Sequence, residues 1–168
     1  MNDFAPPEIH TNLWDACMSK NWYFGHSSVS GSTGGGFWKM DLSENEAACA
    51  LWDCGKKKCE ILTGSPLKVL RQYANGHTYG LGGTAHVDDT EAGTYTLIYY
   101  PMLEWDRDWG GETVYYTKGY GEISGAVRPL PNRAILFEST IPHLGRAPER
   151  SFLGLRVTVA FKLQVTTS

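Results

Sequence analysis

The residues best suited to chemistry in this sequence begin at His86-Val87-Asp88. In an extended strand, residues i and i+2 point to one face. An imidazole and a carboxylate therefore enter the same space, with Val87 packed behind them. An ionised carboxylate and a neutral ring nitrogen make two adjacent ligands for a divalent metal. Of the other histidines, His10, His26 and His77 lie upstream and His143 downstream, 57 residues after His86. His143 follows the strand-like run Arg133–Phe137, so the end of another strand can deliver it to the same place. Two histidines and one carboxylate occupy one face of an octahedron and leave three positions open, a set suited to a ferrous ion. His-x-Asp by itself equally describes a hydrogen-bonded surface pair, so the next element carries much of the argument.

That element is the longest strand-like run, Ser151–Leu163. Leu155, Val157, Val159, Phe161 and Leu163 form one apolar face. Phe152, Gly154, Arg156, Thr158 and Ala160 form the other, with the Thr158 hydroxyl as the polar group nearest Arg156. An arginine in such a place is costly to bury unpaired. It either receives a carboxylate bidentately, with Thr158 adding a hydrogen bond, or makes an internal ion pair.

These residues need a framework. A chain of 168 residues buries enough surface for one core without a metal or disulfide. Fifteen basic residues against 18 acidic ones give a net charge of −3, and no basic run exceeds Lys56–Lys58. That excludes a phosphate-backbone binder on electrostatic grounds, so no nucleic-acid partner is expected. No segment approaches the ~18 apolar residues of a membrane span, so no membrane partner is expected either. The first residues, Met1–Pro7, lack the basic stretch and apolar core of a secretory signal. A cytoplasmic location is the expectation, with Cys17, Cys49, Cys54 and Cys59 as reduced thiols. Cys49, Cys54 and Cys59 are five residues apart, without the second Cys/His pair of a zinc site.

Along the chain, Ile9, Leu13, Ala16 and Cys17 define one face of a helix over residues 7–20. Trp22-Tyr23-Phe24 reads as a short strand. Ser27–Gly36 reads as a loop; its Gly34-Gly35-Gly36 lacks the Lys-Ser/Thr of a phosphate cradle. Ser43 with Glu46 three residues on reads as a capping box, opening a helix through Ala47–Asp53. Short β runs follow: Leu67–Ala74, His77–Val87, Thr94–Tyr100, Glu112–Tyr116, Glu122–Val127, Arg133–Phe137 and Ser151–Leu163. Their length and spacing signal a sandwich or barrel. The expected chain is a single domain, 1–168, mainly β, with an N-terminal helical part over about 1–62 and the β core over about 63–165.

The ordered set His86-x-Asp88, His143, Arg156 resembles the Fe(II)/2-oxoglutarate-dependent dioxygenase superfamily, and within it the prolyl-4-hydroxylase-like branch. Three further segments resemble the family: Tyr73-Ala-Asn-Gly76, Gly110-Gly111-Glu112-Thr113, and Pro129–Phe137 before the distal histidine. The likeness covers about residues 67–163. The interval of 13 from His143 to Arg156 is at the long end of the family pattern, which makes Arg150, at an interval of 7, a rival. Asn132 stands where the family often has glycine; both residues tolerate a positive φ.

The resemblance implies a double-stranded β-helix, or jelly roll, with helices packed outside. It implies Fe(II) held by His86, Asp88 and His143, with 2-oxoglutarate reaching Arg156, Thr158 and Tyr73. It further implies O2 as co-substrate, ascorbate as a candidate reductant, and hydroxylation of a C–H bond. Asp88 favours hydroxylation over halogenation, since family halogenases have a small residue there. The substrate is expected to be a peptide or protein, or a small molecule. Trp105 and Trp109 stand as a candidate lid, and Tyr79 lies on a flexible flap before His86. The alternatives are a non-catalytic jelly-roll binding module and a cupin-type metal enzyme without a co-substrate. Whether the chain is a monomer or a dimer is not legible.

Overall fold

The computed structural model describes residues 1–19, 21–28 and 36–166. Residues 29–35, including Gly34 and Gly35, lie outside the described residues, as do 20, 167 and 168. Among the described residues the chain forms α1 (Pro7–Cys17), β1 (Tyr23–His26), β2 (Phe37–Asp41), α2 (Glu46–Thr63) and β3 (Leu67–His77). There follow β4 (Thr94–Tyr100), β5 (Thr113–Tyr116), β6 (Ile123–Val127), β7 (Arg133–Glu138), β8 (His143–Gly145) and β9 (Arg156–Val165). A six-stranded antiparallel sheet runs β1-β2-β3-β9-β4-β7, and a three-stranded one runs β6-β5-β8. Two antiparallel sheets with two helices outside make the expected double-stranded β-helix.

The alternation of β9 divides its environment in two. Val157, Val159, Phe161 and Leu163 are buried in the main apolar cluster with Leu13, Leu51, Trp52 and Cys59 of the helices. The Trp52 and Phe161 rings stack with centroids 6.0 Å apart. Each such side chain contributes on the order of 1.5–3 kcal/mol by leaving water. The opposite face carries Arg156, Thr158, Ala160 and Lys162 into the space between the sheets.

Several boundaries differ from those the sequence suggests. Ser43 does not cap α2: its hydroxyl donates to Asp41 Oδ1 at 2.6 Å. Asn45, whose side chain accepts from Ala48 N, is the cap. Both residue types suit the position, so the signal was right in kind and displaced by two. The helix continues past Asp53 to Thr63 and ends on Gly64 at φ 69°. Gly55 inside it answers to packing: a Cβ there would lie 2.2 Å from Phe4 Cζ. The N-terminal 62 residues are not purely helical, because β1 and β2 extend the large sheet. Leu67–Ala74 lengthens to His77, whereas His77–Val87 is not a strand. Residues 78–85 are irregular, with a turn at Thr78–Leu81. Likewise β9 begins at Arg156, so Arg156 is its first residue rather than a mid-strand one. Asn132 does adopt a positive φ, 54°.

Replacing Gly55 with alanine adds about 1 kcal/mol of helix propensity but drives a methyl into Phe4. We expect a net loss of roughly 1–2 kcal/mol, seen as a fall in melting temperature of a few degrees. A melting point at or above the parent's would show that Phe4 does not pack there.

Candidate active site

His86 is held by a single antiparallel bridge to His143: each N–H donates to the other's carbonyl at 2.9 Å. The Asp88 N–H donates to Ser139 O at 2.9 Å. Backbone bonds thus hold both His86 and Asp88 in place although no strand contains them. Ligand atoms of His86, Asp88 and His143 lie within 4.8 Å of one another, the only such cluster of metal-binding types among the described residues. Each ring has its proton placed by the backbone. His86 Nδ1 bonds Thr84 O at 2.8 Å and His143 Nδ1 bonds Ile141 O at 3.0 Å. A carbonyl only accepts, so both Nδ1 atoms carry the hydrogen and both Nε2 atoms present a lone pair. Those nitrogens lie 3.3 and 3.5 Å from the Asp88 oxygens. Burial pushes the His143 pKa down to about 4, against the opposing pull of Asp88. Burial alone would raise the Asp88 pKa, but His86, Lys162 and His143 together hold it well below the usual carboxylate range.

Lys162 is a site residue that the sequence reading overlooked. It lies two positions beyond Ala160 on the face of Arg156 and Thr158, and its ammonium pairs with Asp88 Oδ2. The i, i+2 periodicity that marked Arg156 would have marked it too.

Arg156 stands at the other end of the same face, fully buried. Its Nε donates to Gly111 O at 2.5 Å, one terminal nitrogen donates to His77 Nδ1 at 3.1 Å, and the other to Thr113 Oγ1 at 3.4 Å. Three of its five donors are used, and no carboxylate among the described residues forms a salt bridge with it. Because His77 Nδ1 accepts, the proton of that neutral ring is on Nε2, and Nε2 has no partner. Burial, with Arg156 adding to it, holds His77 far below its ordinary pKa. Asn75 Oδ1 is likewise buried without a partner. The unpaired His77 Nε2–H and the spare Arg156 donors call for a ligand that brings acceptors, whereas Asn75 Oδ1 calls for a donor. A diacid with a metal-chelating head and a carboxylate tail matches the chemistry at the two ends of this cavity, the His86–Asp88–His143 cluster and the Arg156 guanidinium.

The strand register decides which expected residues reach that tail. Arg156 opposes His77, Thr158 opposes Asn75, and Ala160 opposes Tyr73. Thr158 therefore lines the cavity near Arg156. Tyr73 lines it about 13 Å farther along β9, at the Asp88 end. The tyrosine beside Arg156 is instead Tyr100, whose hydroxyl bonds Thr113 Oγ1 at 2.7 Å. Arg150 is exposed and outside the cavity. Trp105 and Trp109 do not line it. They pack with Phe152, centroids 4.7–5.5 Å apart, behind Gly111 and Arg156. Gly111, at φ 74°, has no room for a Cβ between Arg156 and Trp105. Tyr79 is 60% exposed on its turn and does not line the cavity either. All four cysteines are free thiols. No helix among the described residues is long and apolar enough to cross a membrane.

A family model described as the 2OG-Fe(II) oxygenase superfamily matches residues 71–161. No curated protein matches by sequence. Among solved structures, a Trichoplax adhaerens prolyl hydroxylase in complex with a hypoxia inducible factor oxygen degradation domain peptide fragment superposes with TM-score 0.72. It is 17% identical, over 98% of this chain and 82% of that one. A Pseudomonas putida prolyl-4-hydroxylase gives TM-score 0.70 and 15% identity, over 99% and 91%. The non-heme alpha ketoglutarate dependent epimerase SnoN from nogalamycin biosynthesis gives 0.74 and 11%, over 99% and 77%. At these identities the likeness is one of fold.

Burial keeps His77 and His143 neutral in the folded chain, so the unfolded chain binds protons below about pH 6.5 that the folded one refuses. Stability is complete above that pH and falls as pH drops; the depressed Asp88 pKa extends the loss into stronger acid. With metal chelated by EDTA, the loss between pH 7.5 and 4.5 should be at least roughly 2–3 kcal/mol, the share of His143, with His77 adding to it. Urea unfolding at the two pH values measures the sum, and a flat profile would mean that both rings are solvated.

Proposed function

Because the chain belongs to the 2OG-Fe(II) oxygenase superfamily, we propose that it hydroxylates an unactivated C–H bond and releases succinate and CO2. The superfamily uses Fe(II), 2-oxoglutarate and O2. His86, Asp88 and His143 are the residues that would hold the metal, which supplies the one-electron and O2 chemistry that side chains lack. The observation that carries this reading is the pairing of that triad with a buried Arg156 that no protein carboxylate answers.

In this reading each residue has one task. The Thr84 and Ile141 carbonyls fix the two rings so that only Nε2 faces the metal. Arg156 takes the distal carboxylate of 2-oxoglutarate with its free donors, and His77 Nε2–H and Thr158 add hydrogen bonds. Phe37, Ile98 and Ala160 line the cavity with apolar surface and exclude water. The whole chain, 1–168, acts as one catalytic domain, with its β core over about 63–165. A prolyl residue in a peptide or protein is the first substrate class to test, supported by a shared fold with a prolyl hydroxylase solved with a peptide fragment. A free amino acid or another small molecule is the second. Ascorbate serves as reductant for idle turnover.

Anaerobic titration with Fe(II) and 2-oxoglutarate tests the reading through the weak visible charge-transfer band of the chelate. Asp88→Ala should abolish the band. Arg156→Ala should weaken 2-oxoglutarate binding by about 2 kcal/mol or more, whereas Arg150→Ala should leave it within a factor of two. If Arg150→Ala proves the more damaging, the co-substrate assignment is wrong. A scan for +16 mass shifts over prolyl peptides and free amino acids then separates the two substrate classes.

A further inference from the structure

Lys162 is the largest charge in the site that the reaction described above does not use. Its side chain is only 9% exposed. The ammonium pairs with Asp88 Oδ2 and donates to Thr96 Oγ1 at 3.2 Å, while Thr96 donates to the same Asp88 oxygen at 2.6 Å. Thr96 Oγ1 is also 3.2 Å from Ser139 Oγ. The lysine, the threonine and the carboxylate thus form a closed triangle with no second acid in it. The groups facing Lys162 from neighbouring strands are Thr96 on β4, and Tyr73 and Arg71 on β3. Its ammonium lies 5.9 Å from the Tyr73 ring centroid, and Arg71 is its cross-strand partner. Nothing there but Asp88 is negative, so Asp88 is the counter-ion of Lys162 within the fold.

We propose that Lys162 is the resident counter-cation of the metal centre: it neutralises Asp88 when no ion is present, and it biases a bound iron toward the ferrous state. Coulomb repulsion scales with the product of the charges. A fixed positive charge against a ligand carboxylate would therefore oppose Fe(III) half again as strongly as Fe(II). The consequence is a higher potential for the balanced step Fe(III) + e⁻ → Fe(II), together with a weaker hold on divalent ions than the triad alone would give. Lys162 is argued to act through Asp88, so it is a tuning and positioning residue. The inference rests on the reading that the triad binds iron.

The test compares the full-length protein with Lys162→Met, Lys162→Gln and Lys162→Arg. Two quantities are read: anaerobic Co(II) affinity by competition titration, and the ferric/ferrous midpoint potential by spectroelectrochemistry. Removing the charge should tighten Co(II) binding about tenfold or more. It should also raise the ferric-to-ferrous ratio at fixed potential at least tenfold, a fall of about 59 mV for one electron. Lys162→Arg, which keeps the charge, should stay near the parent on both. The glutamine variant gives the same reading should the methionine variant fold poorly. An unchanged or raised potential, or Co(II) binding more than threefold weaker, would overturn the proposal and leave Lys162 a purely structural partner of Asp88. If the parent binds no Co(II), or binds it equally well after Asp88→Ala, the iron reading itself fails instead.

Discussion

The structure turns on one buried negative charge. Asp88 is ionised in a place where an isolated carboxylate would cost several kcal/mol even after local relaxation. Two groups offset that cost: Lys162 supplies a full positive charge and Thr96 a hydroxyl proton. The Ser139 carbonyl holds the backbone in place by accepting from the Asp88 and Asp89 N–H groups. Lys162, Thr96 and Ser139 stand on β9, on β4 and just after β7, so satisfying the charge requires the large sheet to be assembled. A divalent ion is then one more positive charge brought to a carboxylate already prepared to be negative.

The same face of β9 that brings Lys162 to Asp88 brings Arg156 to the opposite end. A strand gives both residues for free once its alternation is set, because positions 156, 158, 160 and 162 share one side. The other side, Val157 to Leu163, packs under the helices. One ten-residue strand therefore supplies four side chains of the apolar core and both fixed cations of the cavity. Losing its register would lose stability and chemistry together, since a slip by one residue would exchange the two faces.

That economy explains what could be read from the sequence. The alternation over 156–163 and the His86-x-Asp88 spacing are local patterns, and the structure keeps the first and brings His143 beside the second. Thr94–Tyr100 is a strand with those same ends because all its residues but Leu97 are β-branched or aromatic. What failed was whatever depends on a partner distant in sequence. His77–Val87 has strand-like residues, but glycines at 80, 82 and 83 leave it irregular, tied to β8 only by the Gly83 N–H bond to Gly145 O and the bridge from His86 to His143. Tyr73 and Arg156 both face the cavity, yet their separation is set by the β3–β9 register, which no local pattern reveals. Trp105 and Trp109 looked like a lid because exposed aromatics in a loop suggest binding. They are instead a prop behind Arg156, made possible by Gly111. Lys162 was visible in principle: the period that flagged Arg156 places it on the same face, but a lysine near a strand end is ordinarily taken for a solvated one.

On this reading the two halves of the cavity are specified differently, and the difference is physical. The diacid end is built from Arg156, His77, Asn75, Thr113 and Tyr100, all carried on paired strands, with Arg156, His77 and Tyr100 almost wholly withdrawn from water. Its geometry is fixed whenever the sheets form, and its unpartnered donors reject any ligand without matching acceptors. The metal end opens toward His86, Tyr73 and the irregular stretch 78–85, where the backbone is not held by ladder bonds. A sheet-borne subsite reads a small, constant co-substrate; a loop-bordered mouth is free to vary with whatever C–H bond is presented. A prolyl hydroxylase and an epimerase both superpose on this fold, with TM-scores of 0.70 and 0.74, so the fold by itself does not decide what the loops admit.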